Sequence, residues 1–157
     1  MVSTGETAPR FAETRGTSDH EDFDLADHLG DGPIVLAFFP GAFTPPCESE
    51  MVGLQERHDE FRDAGAKIIG ISADSPFAQG AFREKHGLEF DLVSDVDGDT
   101  IDAYGLTIDI PDLGLYDVAN RAVYVLDDDG VVTYEWIADD PTNEPDYEAI
   151  LDAVRSA

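Results

Sequence analysis

Ile34-Val35-Leu36-Ala37-Phe38-Phe39, closed by Pro40-Gly41, is an unbroken apolar run of strand length. Such a run, ended by a turn signal, reads as a central strand buried on both faces. Ala66 to Ala73 (AKIIGISA) has the same character and reads as a second buried strand. Between them, beyond the loop Pro40 to Pro45, the segment Pro46 to Gly65 places Cys47, Met51, Leu54, His58 and Phe61 at alternating steps of four and three. That spacing predicts one helix with a face toward the core. A strand, a helix and a second strand in this order form a parallel pair joined by a crossover.

Working outward, Ser75-Pro76 pairs a cap residue with a proline at the first helical position, and opens a helix through Phe77, Ala81 and Phe82 to a stop at Gly87. Phe90 to Val93 reads as a third strand, followed by an acidic turn and a short helix ending near Tyr104-Gly105. Arg121 to Asp127 and Val131 to Ile137 read as two strands around the hairpin-length loop Asp128-Asp129-Gly130. A last helix carries Tyr147, Ile150, Leu151 and Val154 on one face. From Gly5 to Gly32 the pattern is weak, with Pro9-Arg10-Phe11 and Phe23-Asp24-Leu25 suggesting edge strands or turns. The expected class is α/β, a mixed central sheet with helices on both faces. At 157 residues the chain suits one core and is short for two, so residues 1–157 read as a single domain.

The chain carries 35 Asp and Glu against 9 Lys and Arg, a formal charge of -26. A basic face, which nucleic acid or anionic membrane would require, has few residues to build it. The acid is dispersed and only Lys67 and Lys85 are lysines. This pattern looks like a surface adapted to a salt-rich cytoplasm, that of a halophile, where charges are closely screened; a basic protein partner is the rival explanation. No basic-then-apolar leader and no run near ~18 apolar residues is present, so a soluble, cytoplasmic protein is expected.

Cys47 is the one cysteine, which forbids an internal disulfide and a cysteine-based zinc site. Because Pro46 disfavours helical geometry at Pro45, the helix is expected to begin at Pro46, with Cys47 in its first turn. There, unpaired backbone N–H groups and the helix dipole favour thiolate, the nucleophilic form. The plainer reading is a small core residue, since Cys47 also begins the apolar stripe. Thr44, three residues earlier, could set its hydroxyl beside the sulfur or act as a capping residue. Arg121 opens the apolar strand AVYVL and needs an anionic partner there: one of many carboxylates, or the thiolate.

The segment Phe38 to Glu50 (FFPGAFTPPCESE) resembles the active-site segment of the peroxiredoxins, a proline, three residues, Thr or Ser, two residues and then Cys; Pro40, Thr44 and Cys47 match it position for position. Glu50 matches an acidic residue common in several subfamilies. Leu92, Ser94, Asp95, Tyr104 and Gly105, and then Asn120 to Asp127 with Gly130, resemble later family segments, the second being the arginine-bearing strand. The resemblance spans about Gly5 to the C-terminus. It implies a thioredoxin-like fold and a thiol-dependent peroxidase in which Cys47 passes through a sulfenic acid. It further implies that Arg121 favours the thiolate, Thr44 positions the peroxide and Pro40 shields the site; for Glu50 there are two readings, orientation of Arg121 or one more solvated acid of the surface. The nearest type is the one-cysteine alkyl hydroperoxide reductase E, with wording like the bacterioferritin comigratory type. The latter often has a resolving cysteine five residues on, where this chain has Val52. An external thiol, small or borne by a thioredoxin- or glutaredoxin-like protein, is then the expected reductant, a Cys47 to Cys47 link being the other route, with no metal, flavin or haem cofactor. A homodimer is one option among relatives. The competing function is a redox-inactive thioredoxin-like module that binds a partner or acts as a holdase.

Other constellations carry less. Asp95-Val96-Asp97-Gly98-Asp99 departs from a calcium loop, with glycine one residue early and Leu106 at the twelfth position. His20, His28, His58 and His86 lack metal-ligand spacing, and no serine sits in a nucleophile elbow. Tyr134 and Trp136 alternate along a strand and read as packing.

Overall fold

A computed structural model describes residues 1–157. Its centre is β3 (Ile34–Phe38), in which every residue is buried. The strand pairs parallel with β4 (Lys67–Ser72) and antiparallel with β8 (Ala122–Leu126). Alternate residues serve opposite cores: Ile34, Leu36 and Phe38 pack on one face, Val35 and Ala37 on the other. An unbroken apolar run is what two covered faces demand.

Seven strands form the sheet, in the order β2 (Asp22–Asp24), β1 (Ala12–Arg15), β5 (Asp91–Ser94), β4, β3, β8, β9 (Val132–Ile137). β3, β4 and β5 are mutually parallel, and the other pairings are antiparallel. The mixed α/β architecture follows the expectation, but its two faces differ. Four helices, α1 (Pro45–Glu56), α2 (His58–Asp63), α3 (Pro76–His86) and α5 (Tyr147–Ser156), send Met51, Leu54, Phe61, Phe82, Ile150 and Leu151 into one core. Full burial of each such side chain contributes ~1.5–3 kcal/mol. The opposite core is covered by α4 (Asp99–Ala103) and the N-terminal segment, through Ile101, Tyr104, Phe11, Phe23 and Leu25.

Several boundaries differ from the sequence reading. The expected helix over 46–65 is two helices: Arg57 ends α1 with its N–H bonded to Leu54 and Gln55 carbonyls, while its guanidinium returns to the Gly53 carbonyl and lies over Tyr147. α1 begins at Pro45, not Pro46: the restriction that Pro46 places on Pro45 does not keep it out of the helix, and the extended residue is Thr44, at φ -82 and ψ 140. Of the two segments read as edge strands or turns, Pro9-Arg10-Phe11 precedes the pairing, which starts at Ala12, and Phe23-Asp24 lies in β2. β6 (Thr107–Ile110) and β7 (Leu115–Ala119) form a separate two-stranded hairpin that the pattern did not reveal, with a bulge between Ile108 and Ile110 interrupting alternation. Ser75 caps α3 through the Ala78 N–H, and Gly87 closes it in the left-handed region, as its sequence signals require.

Candidate active site

The C-terminal end of β3 leads through Phe39 and the buried Pro40 into a loop that delivers Cys47 to the first turn of α1. Phe39 stays tied to the sheet, its N–H donating to the Ile71 carbonyl at 3.0 Å. Phe43 takes φ 66, unusual for a bulky side chain, and its ring meets Phe82 edge-on at 5.2 Å. Pro45 and Pro46 have no N–H, so the Cys47 amide is the first donor of α1, and no backbone carbonyl accepts from it.

Cys47 is 1% exposed and belongs to the helical-face core, so it is both part of the apolar stripe and part of a polar cluster. Arg121, immediately before β8, donates from Nη2 to Cys47 Sγ at 3.2 Å and from Nη1 to Glu50 Oε2 at 2.5 Å. The guanidinium is held further by Nε donating to the Pro141 carbonyl at 2.9 Å. Asn120 Oδ1 accepts from the Arg121 N–H, and the Arg121 carbonyl accepts from the Ala138 N–H. Arg121 therefore has both candidate partners, a carboxylate and the sulfur.

Glu50, one helical turn beyond Cys47, is fully buried. Burial pushes its carboxyl up to about 7 against the opposing pull of Arg121, and the Glu144 charge adds to the rise. Burial lowers Arg121, but Glu50 and Cys47 more than offset it, so its pKa is raised and the guanidinium stays charged. Glu50 Oε1 has no hydrogen-bond partner.

Thr44 occupies the position before α1 without capping it; its hydroxyl donates to the Gly41 carbonyl at 2.8 Å. Cys47 and Glu50 are thus each in direct contact with Arg121, Thr44 stands at the helix entrance, and Pro40 is buried at the base of the loop. Sequence reasoning missed the Pro141 carbonyl, which carries no side-chain signal. It also missed Glu48, whose Oε1 is 3.7 Å from both Lys85 Nζ and His86 Nε2. The Asp95 oxygens accept from the Thr100 and Ile101 N–H groups at 3.3 and 2.7 Å and so tie the acidic turn to the start of α4.

The sequence profile of the AhpC/TSA family matches residues 4–135. The chain belongs to that family. It is a peroxiredoxin, a thiol-dependent peroxidase, of the bacterioferritin comigratory type. Peroxiredoxin Bcp of Escherichia coli (strain K12) is 32% identical over 151 residues, covering 96% of this chain and 94% of the relative. Chloroplastic peroxiredoxin Q of Oryza sativa subsp. japonica is 33% identical over 133 residues, 85% of this chain and 58% of that protein. The crystal structure of peroxidoxin BcpB from Mycobacterium tuberculosis superposes with a TM-score of 0.88 at 27% identity, covering 99% and 98% of the two chains. The peroxiredoxin thus has the thioredoxin-like fold expected from its sequence. No helix is long and apolar enough to cross a membrane.

Proposed function

We propose that Cys47 reduces hydrogen peroxide and organic hydroperoxides by a one-cysteine cycle closed by an external thiol. The observation that carries this reading is the Arg121 Nη2 to Cys47 Sγ contact of 3.2 Å in a buried site. A guanidinium there favours the thiolate and stabilises the negative charge that builds on the peroxide's leaving oxygen. The thiolate attacks one peroxide oxygen, the O–O bond breaks, and the leaving oxygen takes a proton to depart as water or alcohol; the sulfur becomes a sulfenic acid. A thiol then condenses with the sulfenic acid to a mixed disulfide and water. A second thiol releases the Cys47 thiol and carries away the disulfide. Both electrons come from thiols, so the cycle calls on no metal, flavin or haem. With Cys47 the single cysteine, the resolving sulfur belongs to another molecule, a small thiol or a thioredoxin- or glutaredoxin-like protein.

In this cycle Thr44 positions the peroxide, the free Cys47 N–H donates to it, Pro40 keeps water from the thiolate, and Glu50 holds Arg121 in place. A binding module would have no use for a charged pair, Arg121 and Glu50, buried against its cysteine. Stopped-flow consumption of hydrogen peroxide by the reduced protein tests the reading. The parent is expected to react rapidly and Cys47→Ser not at all; equal consumption by both would end it.

A further inference from the structure

The Gly41–Ala42 peptide group is gripped at both ends. Its oxygen accepts from the Thr44 hydroxyl at 2.8 Å, and its N–H donates to Asp74 Oδ2 at 2.8 Å. A peptide group is planar and stiff, so fixing the N–H fixes the direction of the carbonyl. Asp74 lies just beyond β4, outside the set Pro40, Thr44, Cys47, Glu50 and Arg121. Its own placement is over-determined. Ser72 Oγ donates to the same Oδ2 at 2.7 Å, and Ser94 Oγ donates to the Asp74 carbonyl at 2.6 Å.

The donor direction follows from the next shell of contacts. Gln79 Nε2 donates to Ser72 Oγ at 2.9 Å and to the Val93 carbonyl at 2.8 Å. Ser72 and Gln79 are fully buried. With Gln79 supplying a proton to Ser72 Oγ, the serine's own proton points to Asp74, whose carboxylate then accepts from both Ser72 and Ala42. The series runs Gln79, Ser72, Asp74, the Gly41–Ala42 peptide, Thr44.

We propose that Asp74 is a positioning residue for peroxide reduction, acting through the Gly41–Ala42 peptide to aim the Thr44 hydroxyl. Because the Thr44 proton is committed to the Gly41 carbonyl, the Thr44 oxygen is left with its lone pairs free to accept a hydrogen bond from the hydroperoxide O–H. Without the Asp74 acceptor, the peptide can rotate and the hydroxyl loses its fixed partner. The inference rests on the peroxidase role of Cys47, and the parent protein separates the two: if the parent consumes no peroxide, the peroxidase reading falls.

The test is a double-mutant cycle on the second-order rate of Cys47 oxidation by hydrogen peroxide, followed by stopped flow on the reduced protein. Asp74→Ala is expected to slow oxidation about tenfold in the parent and to have little further effect in a Thr44→Val background, because a contact transmitted through Thr44 gives strong coupling. Asp74→Asn, which keeps an acceptor oxygen, is expected to recover most of the rate. A general structural role would produce the same slowing in both backgrounds, and that result overturns the proposal. Should Asp74→Ala fail to fold, Ser72→Ala takes its place: a slowing that vanishes in the Thr44→Val background supports the series, and one that persists overturns it.

Discussion

Arg121 and Cys47 lie 74 residues apart in sequence, yet Nη2 of one stands 3.2 Å from Sγ of the other, both side chains withdrawn from solvent. The pairing of β3 with β8 makes this contact: Phe38, at the end of β3, is registered with Ala122, the residue after Arg121. The guanidinium is shared, with Glu50 on Nη1 and the sulfur on Nη2. One cation thus faces two groups able to carry negative charge.

Arg121→Met keeps the side-chain bulk and removes the charge. Oxidation of Cys47 by hydrogen peroxide is expected to fall by about 10²-fold, the scale of losing one donor to developing charge. Alkylation of Cys47 by iodoacetamide should require a more alkaline pH than in the parent. An unchanged pH profile would remove Arg121 from the activation of the thiol.

Glu50 is expected to act in two opposed ways, and its variants separate them. Glu50→Gln removes a negative charge beside the sulfur, so the alkylation profile is expected to move to lower pH, opposite to Arg121→Met. Because Arg121 loses its charged anchor, peroxide oxidation measured with the thiolate fully formed should fall about tenfold. Glu50→Ala leaves the guanidinium without a carboxylate and should destabilise the fold by about 3 kcal/mol in urea unfolding. A Glu50→Ala protein as stable as the parent would show that the pair is not needed to hold Arg121.

Much of this site was legible because its parts lie where local chemistry is informative. The run Ile34 to Phe39 needs two covered faces, and Pro45-Pro46 before Cys47 fixes a helix start to within one residue. Arg121 stood out as a cation at the mouth of an apolar strand. What stayed hidden depends on distant parts of the chain. The break at Arg57 is accompanied by packing on Tyr147, from α5. The β6–β7 hairpin breaks its own alternation at a bulge. Asp74 looks like one more of 35 acids until the sheet places its carboxylate under the Ala42 amide.

Stability should decline as pH rises toward neutrality. Burial pushes Glu13 up to about 7 from its ordinary 4.5, a Thr100 hydrogen bond opposes the rise, and the Asp95 and Asp97 charges add to it. Glu50 is raised to about 7 as well. A carboxyl with a raised folded pKa holds more protons in the native than in the unfolded state, so stability falls between about pH 4.5 and 7. The urea midpoint is expected to be higher at pH 5 than at pH 7, and Glu13→Gln should shrink that difference. A midpoint that rises across this range in the parent would refute the assignment.

Salt provides the last test, because surface and site should answer it differently. A net charge of -26 acts against the compact state when charges feel one another across the surface. Raising KCl from 0.1 M to 1 M shortens the Debye length from ~10 Å to ~3 Å and removes most of that repulsion. The urea midpoint is therefore expected to climb steeply with KCl. The Arg121–Cys47 contact is buried and short, so salt alters it little directly. The dispersed surface acids lie farther from the sulfur, where salt screens them strongly. Alkylation of Cys47 at fixed pH should consequently quicken in molar KCl, by less than Arg121→Met slows it. If stability did not change with KCl, the dispersed acid would have to serve a basic partner instead. If stability rose while alkylation stayed constant, surface and active site would be electrostatically independent.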